Sequence, residues 1–251
     1  VVYGLQILDA SGSTALIGNH HVTSSNRITG WVGAGSLAAK LGFQGAAPTA
    51  DIDLSELPTA DLTPDQALAK LMAGNRRFVN NQRQNPHQSC DRLREVAPHQ
   101  DPFAAILSCA DSRVPPEIVF DQGIGDLFVV RVAGNVTNTD EIASEEYAIA
   151  VLGVKVLVVL GHERCGAVNA TLQGGMLPGS VGRLTQLIQP AVEQTVHQLG
   201  DRVETVIKAN VQMQIQRLLA SPVIAQHVRA GKLKVVGGYY DLGKGTVALI
   251  A

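Results

Sequence analysis

The amino-acid sequence predicts an α/β fold, a mostly parallel central sheet of about four parallel strands plus a C-terminal antiparallel strand, flanked by helices. Three observations carry that expectation. FAAILSC (103–109), LFVVRVA (127–133) and VKVLVVLG (154–161) are short, continuous apolar runs, the pattern of strands covered on both faces. Stretches with helical spacing lie between and after them, and strand alternating with helix argues for a parallel sheet wrapped by helices. The chain closes on KLKVVGGYYDLGKGTVALI (232–250), which reads as two strands joined by a Gly-Lys-Gly turn.

The elements follow in order. Residues 1–29 carry no clear periodicity or motif. RITGWVGAGSLAAKLGFQGAAPTAD (27–51) places an Arg, a weakly apolar run and APTA before an acidic residue, the layout of an export signal. Lys40 interrupts that run, so the stretch reads equally as a Gly/Ala-rich arm. Export to the periplasm is expected if 27–50 are a signal remnant, and a cytoplasmic location otherwise. DIDLSELPTADLT (51–63) is acidic and contains proline, as a linker does. The expected organisation is therefore an N-terminal extension over 1–60 and one folded domain over 61–251.

Thr63 is placed as an N-cap, with Pro64 at the first helical position and Gln66 completing a capping box. Leu68, Leu71, Met72, Phe78 and Val79 follow at helical spacing, which gives a helix of about four turns. Gly74 in its middle works against it. Asn80 to Asp101 is polar. TDEIASEEYAIAVLG (139–153) starts acidic and ends in Gly153, as helices do. Two long helices (183–199 and 202–220) and a shorter one (222–230) complete the set.

Composition narrows the function. Over 251 residues, 45% hydrophobic and 17% charged content is ordinary for a globular protein. A net charge of −2 and the lack of a basic run interleaved with aromatics argue against a nucleic-acid partner. No run reaches the roughly 18 uncharged apolar residues of a spanning helix, so no transmembrane segment is expected. Three cysteines are too few, and odd in number, for a disulfide framework. Cys90 lies in the polar NPHQSCDR and reads as a free surface thiol.

The other two cysteines end apolar runs inside polar clusters: LSCADSR (107–113) and GHERCG (161–166). Ligand sites of parallel sheets gather at the carboxyl ends of strands, which is where these clusters fall. Cys109, Asp111, His162 and Cys165 together offer two thiolates, an imidazole and a carboxylate, a donor set suited to zinc. Cys109 and Asp111 face one side if the chain stays extended, and a single turn can fold His162 and Cys165 onto one ion. Arg113 adds something a closed structural site does not need. A guanidinium that grips Asp111 with two hydrogen bonds would draw it off the metal and leave a fourth position open for water. Taken singly, a buried Cys is a small hydrophobe and a lone His a hydrogen-bonded core residue; four such residues at two strand ends favour metal.

These residues carry a resemblance. SCADSRVPPE (108–117), DLFVVRVAGN (126–135) and GHERCGAV (161–168) resemble, in order and spacing, the signature segments of the β-class carbonic anhydrases of bacterial and cyanobacterial type. The likeness runs from about Thr63, through LMAGNRRF (71–78), to GGYYDL (237–242), and does not extend to residues 1–50. It implies the β-carbonic anhydrase fold with a catalytic domain over 61–251. It also implies reversible hydration of carbon dioxide to bicarbonate and a proton by zinc-bound hydroxide, with no organic cofactor.

Position by position, the resemblance implies Cys109, His162 and Cys165 as permanent zinc ligands and Asp111 with Arg113 as the catalytic dyad. Gln100, which matches a glutamine that some members donate across a dimer interface, is implied as a further catalytic residue, and Phe128, Tyr147 and Gly166 match the substrate pocket. Other members carry a Trp three residues before the first cysteine ligand, in a regulatory form where the Asp binds the metal. Here that position is Ile106, so Asp111 is expected on the metal only in a closed inactive state. The resemblance further implies a homodimer or a higher even-numbered homo-oligomer, with the helix from Pro64 packed on the partner and the sheet extended across the interface. Two other readings stay open on the residues alone: a CS2 or COS hydrolase on the same scaffold, and a non-catalytic zinc-stabilised binding module.

Overall fold

The computed structural model describes residues 58–250; the export-like stretch, and all but the last three residues of the expected extension, lie outside the described residues. Thr63 caps α1 (Pro64–Val79) through the expected capping box, accepting from Gln66 N–H while the Gln66 side chain accepts from Thr63 N–H. Gly74 belongs in that helix for a steric reason. A Cβ there would lie 1.7 Å from the carbonyl oxygen of Phe120, so the missing side chain lets α1 close onto the segment after it.

The polar segment contains a helix that the sequence did not announce, α2 (Cys90–Val96). None of its side chains is buried, so it has no apolar periodicity to read. It stands on local bonds: the Ser89 hydroxyl accepts from Arg92 N–H, and Arg92 Nε donates to the Ile124 carbonyl at 3.0 Å. Cys90 is exposed, as expected of a surface thiol. A one-turn helix, α3 (Pro116–Val119), is also new, started by a proline pair.

The strands are β1 (Ala104–Ser108), β2 (Leu127–Arg131), β3 (Val156–His162), β4 (Lys234–Tyr240) and β5 (Val247–Ile250). Between them run α4 (Thr139–Ala150), α5 (Gly166–Gln173), α6 (Val181–Gln194), α7 (Arg202–Leu219) and α8 (Pro222–Arg229). The sheet order is β2-β1-β3-β4-β5; four strands are parallel and β5 is antiparallel to β4. β1 and β3 are buried throughout, whereas β2 is only half buried. β2, at the sheet's edge, still packs on both faces as expected, Leu127 on one and Phe128 and Val130 on the other, but less deeply.

Alternation along the strands separates two cores. Ala104, Ile106, Val156, Val158 and Leu160 pack with Leu71, Val119 and Phe120 from α1 and α3. Ala105, Leu107, Leu157 and Val159 pack with Ala148, Ile149, Val211, Leu218 and Ile224 from α4, α7 and α8. A third group gathers Cys109, Cys165, Val168, Ile188, Val206 and Ile207 at the carboxyl end of the sheet, beneath α5, α6 and α7.

One buried residue breaks the apolar pattern. Ile142, Glu145 and Ile149 lie at helical spacing on α4, so Glu145 turns inward and is fully buried. Among the described residues neither of its carboxyl oxygens has a hydrogen-bond partner, and burial pushes its pKa up to about 8. An unfolded glutamate releases its proton near pH 4.5, whereas the folded one keeps it until about pH 8. Stability therefore falls as pH rises through that window, by about 1.4 kcal/mol per unit at most. Glu145→Gln removes the dependence. Denaturant unfolding of both proteins from pH 5 to 9 should show the variant gaining on the parent up to about pH 8 and no further. Parallel curves would mean that Glu145 is ionised in the folded protein.

Candidate metal centre

Strand order places the site. In the order 2-1-3-4-5 the chain turns one way from β1 to β2 and the other way to β3, which leaves a crevice at the carboxyl ends of β1 and β3. Ser108 pairs with Leu160 in register. Cys109 therefore leaves β1 beside the end of β3, where His162 is the last residue. Glu163 and Arg164 make the turn that follows, Arg164 in a left-handed conformation (φ 54°), and Cys165 is the N-cap of α5.

The result is one cluster. Cys109 Sγ, Cys165 Sγ and a ring nitrogen of His162 lie within 4.8 Å of one another, and all three residues are buried. The imidazole is oriented from behind: its Nδ1 is 2.8 Å from the Glu163 carbonyl, which can only accept, so Nδ1 carries the proton. Nε2 is then a bare lone pair, fully buried and without a hydrogen-bond partner among the described residues. An orphan imidazole nitrogen facing two sulfurs is costly unless a cation completes it. The donor set therefore fits a thiophilic metal ion.

The two sulfurs show the same need. The hydrogen bond with the Cys165 thiol lowers the Cys109 pKa against the opposing cost of burial, with His162 and the Gly134 N–H adding to the same effect. Cys165 is pushed up in turn, by that hydrogen bond and by burial. Side by side in the interior, the pair shares one proton. A divalent ion replaces it and leaves two thiolates.

Asp111 stands next to this cluster and outside it. Its Oδ2 is 3.9 Å from His162 Nε2. Arg113 grips both oxygens, Nε on Oδ1 at 2.9 Å and Nη2 on Oδ2 at 2.8 Å, and the Arg113 backbone N–H adds a third bond to Oδ1. These bonds hold the Asp111 carboxyl well below the usual range. Three donors converge, and the fourth candidate, Asp111, is held beside them by Arg113, the arrangement expected if the guanidinium draws that carboxylate aside.

Sequence reasoning missed the residues that hold this loop. Arg131, the last residue of β2, donates to the carbonyls of Cys109 (3.1 Å) and Asp111 (2.7 Å). Its bonds go to backbone, so no pattern of side chains announces them. Of the expected pocket residues, Gly166 opens α5 beside Cys165. Phe128 and Tyr147 pack on each other, ring centroids 6.2 Å apart, and Phe128 also packs on the second core. Gln100 is exposed in the coil before β1.

Comparison with known proteins agrees with this geometry. The profile of the carbonic anhydrase family matches residues 104–247, more than half of the chain. Carbonic anhydrase 2 of Mycobacterium tuberculosis is 42% identical over 191 residues, 74% of this chain and 92% of that one. A tetrameric beta-carbonic anhydrase of Sordaria macrospora superposes with a TM-score of 0.60 at 26% identity, over 74% of this chain and 98% of that one. The chain belongs to the β-class carbonic anhydrases. The carbonic anhydrase of Synechococcus elongatus is similar too, 32% identical over 64% of each chain. As a carbonic anhydrase, the protein takes zinc at the Cys109–His162–Cys165 cluster. No helix among the described residues is long and apolar enough to cross a membrane.

Cys165→Ser replaces a soft ligand with a hard, neutral hydroxyl. Zinc content of the purified carbonic anhydrase should fall well below one per chain and thermal stability should drop with it. Full occupancy by metal analysis would remove Cys165 from the ligand set.

Proposed function

We propose that this carbonic anhydrase hydrates carbon dioxide reversibly to bicarbonate and a proton, with Cys109, His162 and Cys165 as its zinc ligands and Asp111 and Arg113 as its catalytic dyad. One observation carries this reading. A carboxylate is held anionic 3.9 Å from the orphan His162 Nε2 by an Arg113 side chain that is 52% exposed. A purely structural zinc site has no use for such an arrangement, whereas a hydratase needs an anion that aims a nucleophile without occupying the metal.

Zinc, when bound, supplies the Lewis acidity that brings the pKa of water to near 7 and so makes hydroxide available at neutral pH. The protein does the rest. Asp111 accepts a hydrogen bond from the attacking oxygen and turns its lone pair toward the carbon of carbon dioxide. Arg113 keeps Asp111 both ionised and away from the metal. Ile106 is a plain core residue of β1, and with Arg113 gripping both its oxygens Asp111 would stay off zinc at neutral pH, so that the metal would be free to supply its chemistry to water.

Phe128, Tyr147 and Gly166 belong to the substrate pocket in this reading, and Gln100, supplied by a second copy, joins the dyad as a catalytic residue. Its exposure, the 46% exposure of Tyr147 and the half-buried edge strand β2 support a homodimer as the minimal unit. A higher even-numbered assembly is consistent with the tetrameric relative.

Arg113→Ala frees Asp111 to turn onto the metal. Zinc stoichiometry should stay at the parent level while carbon dioxide hydration, followed by stopped flow, falls about a hundredfold or more. Turnover close to that of the parent would show that the dyad does not act as assigned.

A further inference from the structure

Three polar side chains outside the dyad are buried together and take no part in the chemistry above. Asn210 and Gln214 lie one turn apart on α7, 1% and 0% exposed, and Thr137 precedes α4 at 3%. They bond in series. Thr137 donates to Gln214 Oε1 through its backbone N–H (3.0 Å) and its hydroxyl (2.8 Å), and Gln214 Nε2 donates to Asn210 Oδ1 at 2.9 Å. Asn210 Nδ2 donates to the Gly134 carbonyl at 2.9 Å. The series ends on the metal centre, because the Gly134 N–H donates to Cys109 Sγ at 3.2 Å.

Gly134 and the residue after it share a conformation that glycine adopts freely and asparagine only at some cost. The φ of Gly134 is +78° and that of Asn135 is +44°, two left-handed residues in succession. A Cβ on Gly134 would meet Ile188 Cδ1 at 2.8 Å and Ala167 Cβ at 3.0 Å, so the loop is pressed onto α5 and α6 as well. Its two polar ends are pinned by different elements, the N–H by Cys109 and the C=O by α7.

We infer that Asn210 and Gln214 are positioning residues for the metal centre: they hold the Gly134 peptide so that its N–H points at Cys109 Sγ and limits how much charge that sulfur gives to the ion. The inference rests on Cys109 being a zinc ligand. Hydrogen bonds to ligand sulfurs withdraw electron density, and outer partners of this kind tune a bound metal. A network that only stitched α7 to the loop would stabilise the fold equally well without ending on a ligand atom.

Cobalt replacing zinc in the full-length protein makes the test optical, through the near-ultraviolet charge-transfer band from thiolate to metal. Asn210→Leu removes the bond to Gly134 at similar volume. Its band should move to longer wavelength, as a more electron-rich sulfur requires, and a chelator should strip the metal about tenfold more readily. A merely structural role would lower the melting temperature and leave the band in place, and that result would overturn the inference. Thr137→Val deletes one hydroxyl without changing volume and decides the matter if Asn210→Leu does not fold. Its band should shift the same way by less, and an unmoved band again overturns the inference. Cys109→Ser separates the two claims. If the parent's band survives that substitution unchanged, Cys109 is no ligand and both fall. If it is weakened there and unmoved in the other variants, only the role of α7 falls.

Discussion

Two sulfurs and an imidazole nitrogen within 4.8 Å of one another, all buried, form an arrangement that protein groups alone do not satisfy. Without a cation the sulfurs divide a proton between them and the His162 Nε2 lone pair faces no donor. Each of these is a desolvation penalty left standing. A divalent ion meets both needs at once, so metal binding and the stability of this end of the sheet are linked. Val168, Ile188, Val206 and Ile207 pack around the cysteines in the third core, so loss of the ion is felt by that packing as well.

From that constraint follows a division of labour among the arginines. Arg131 holds the backbone of the loop after β1 by two carbonyls. Arg113 holds the one side chain on that loop that would compete for the metal. Both are solvent-facing, and each spends its planar fork on a geometry that lysine could not reproduce. The dyad is thus set by backbone first and by charge second.

The fold was legible where residues alternate or repeat against a core. Runs such as VKVLVVLG became buried β3, and the capping box at Thr63 opened α1 as its residues require. α2 was not legible because nothing in it is buried, and the edge position of β2 was not because strand order is a property of the whole sheet. The ligands were legible as side-chain types at strand ends. The residues that aim them were not: Gly134 acts through its N–H, Glu163 through its carbonyl, and Arg131 upon carbonyls. Backbone polar groups exist at every position, so only tertiary structure distinguishes the few that matter. Glu145 is the converse case, an acid at a core position that no charge pattern marks as buried.

The outer partners of the three ligands also pull in different directions, which bears on how a site with two thiolates remains acidic enough to work. Two negative sulfurs cancel the charge of a divalent ion, and each reduces the acidity that the ion confers on water. The His162 Nδ1–H, bonded to the Glu163 carbonyl, makes that imidazole a stronger donor and adds to the difficulty. The N–H groups act the other way. Gly134 donates to Cys109, and the Ala167 and Val168 amides in the first turn of α5 stabilise charge on Cys165. Placing Cys165 at the N-cap of α5 adds the favourable end of the helix dipole to the same sulfur. Both thiolates are thereby partly quenched by backbone, and the balance between carbonyl behind the imidazole and amides behind the sulfurs sets how much of the ion's charge is left for water.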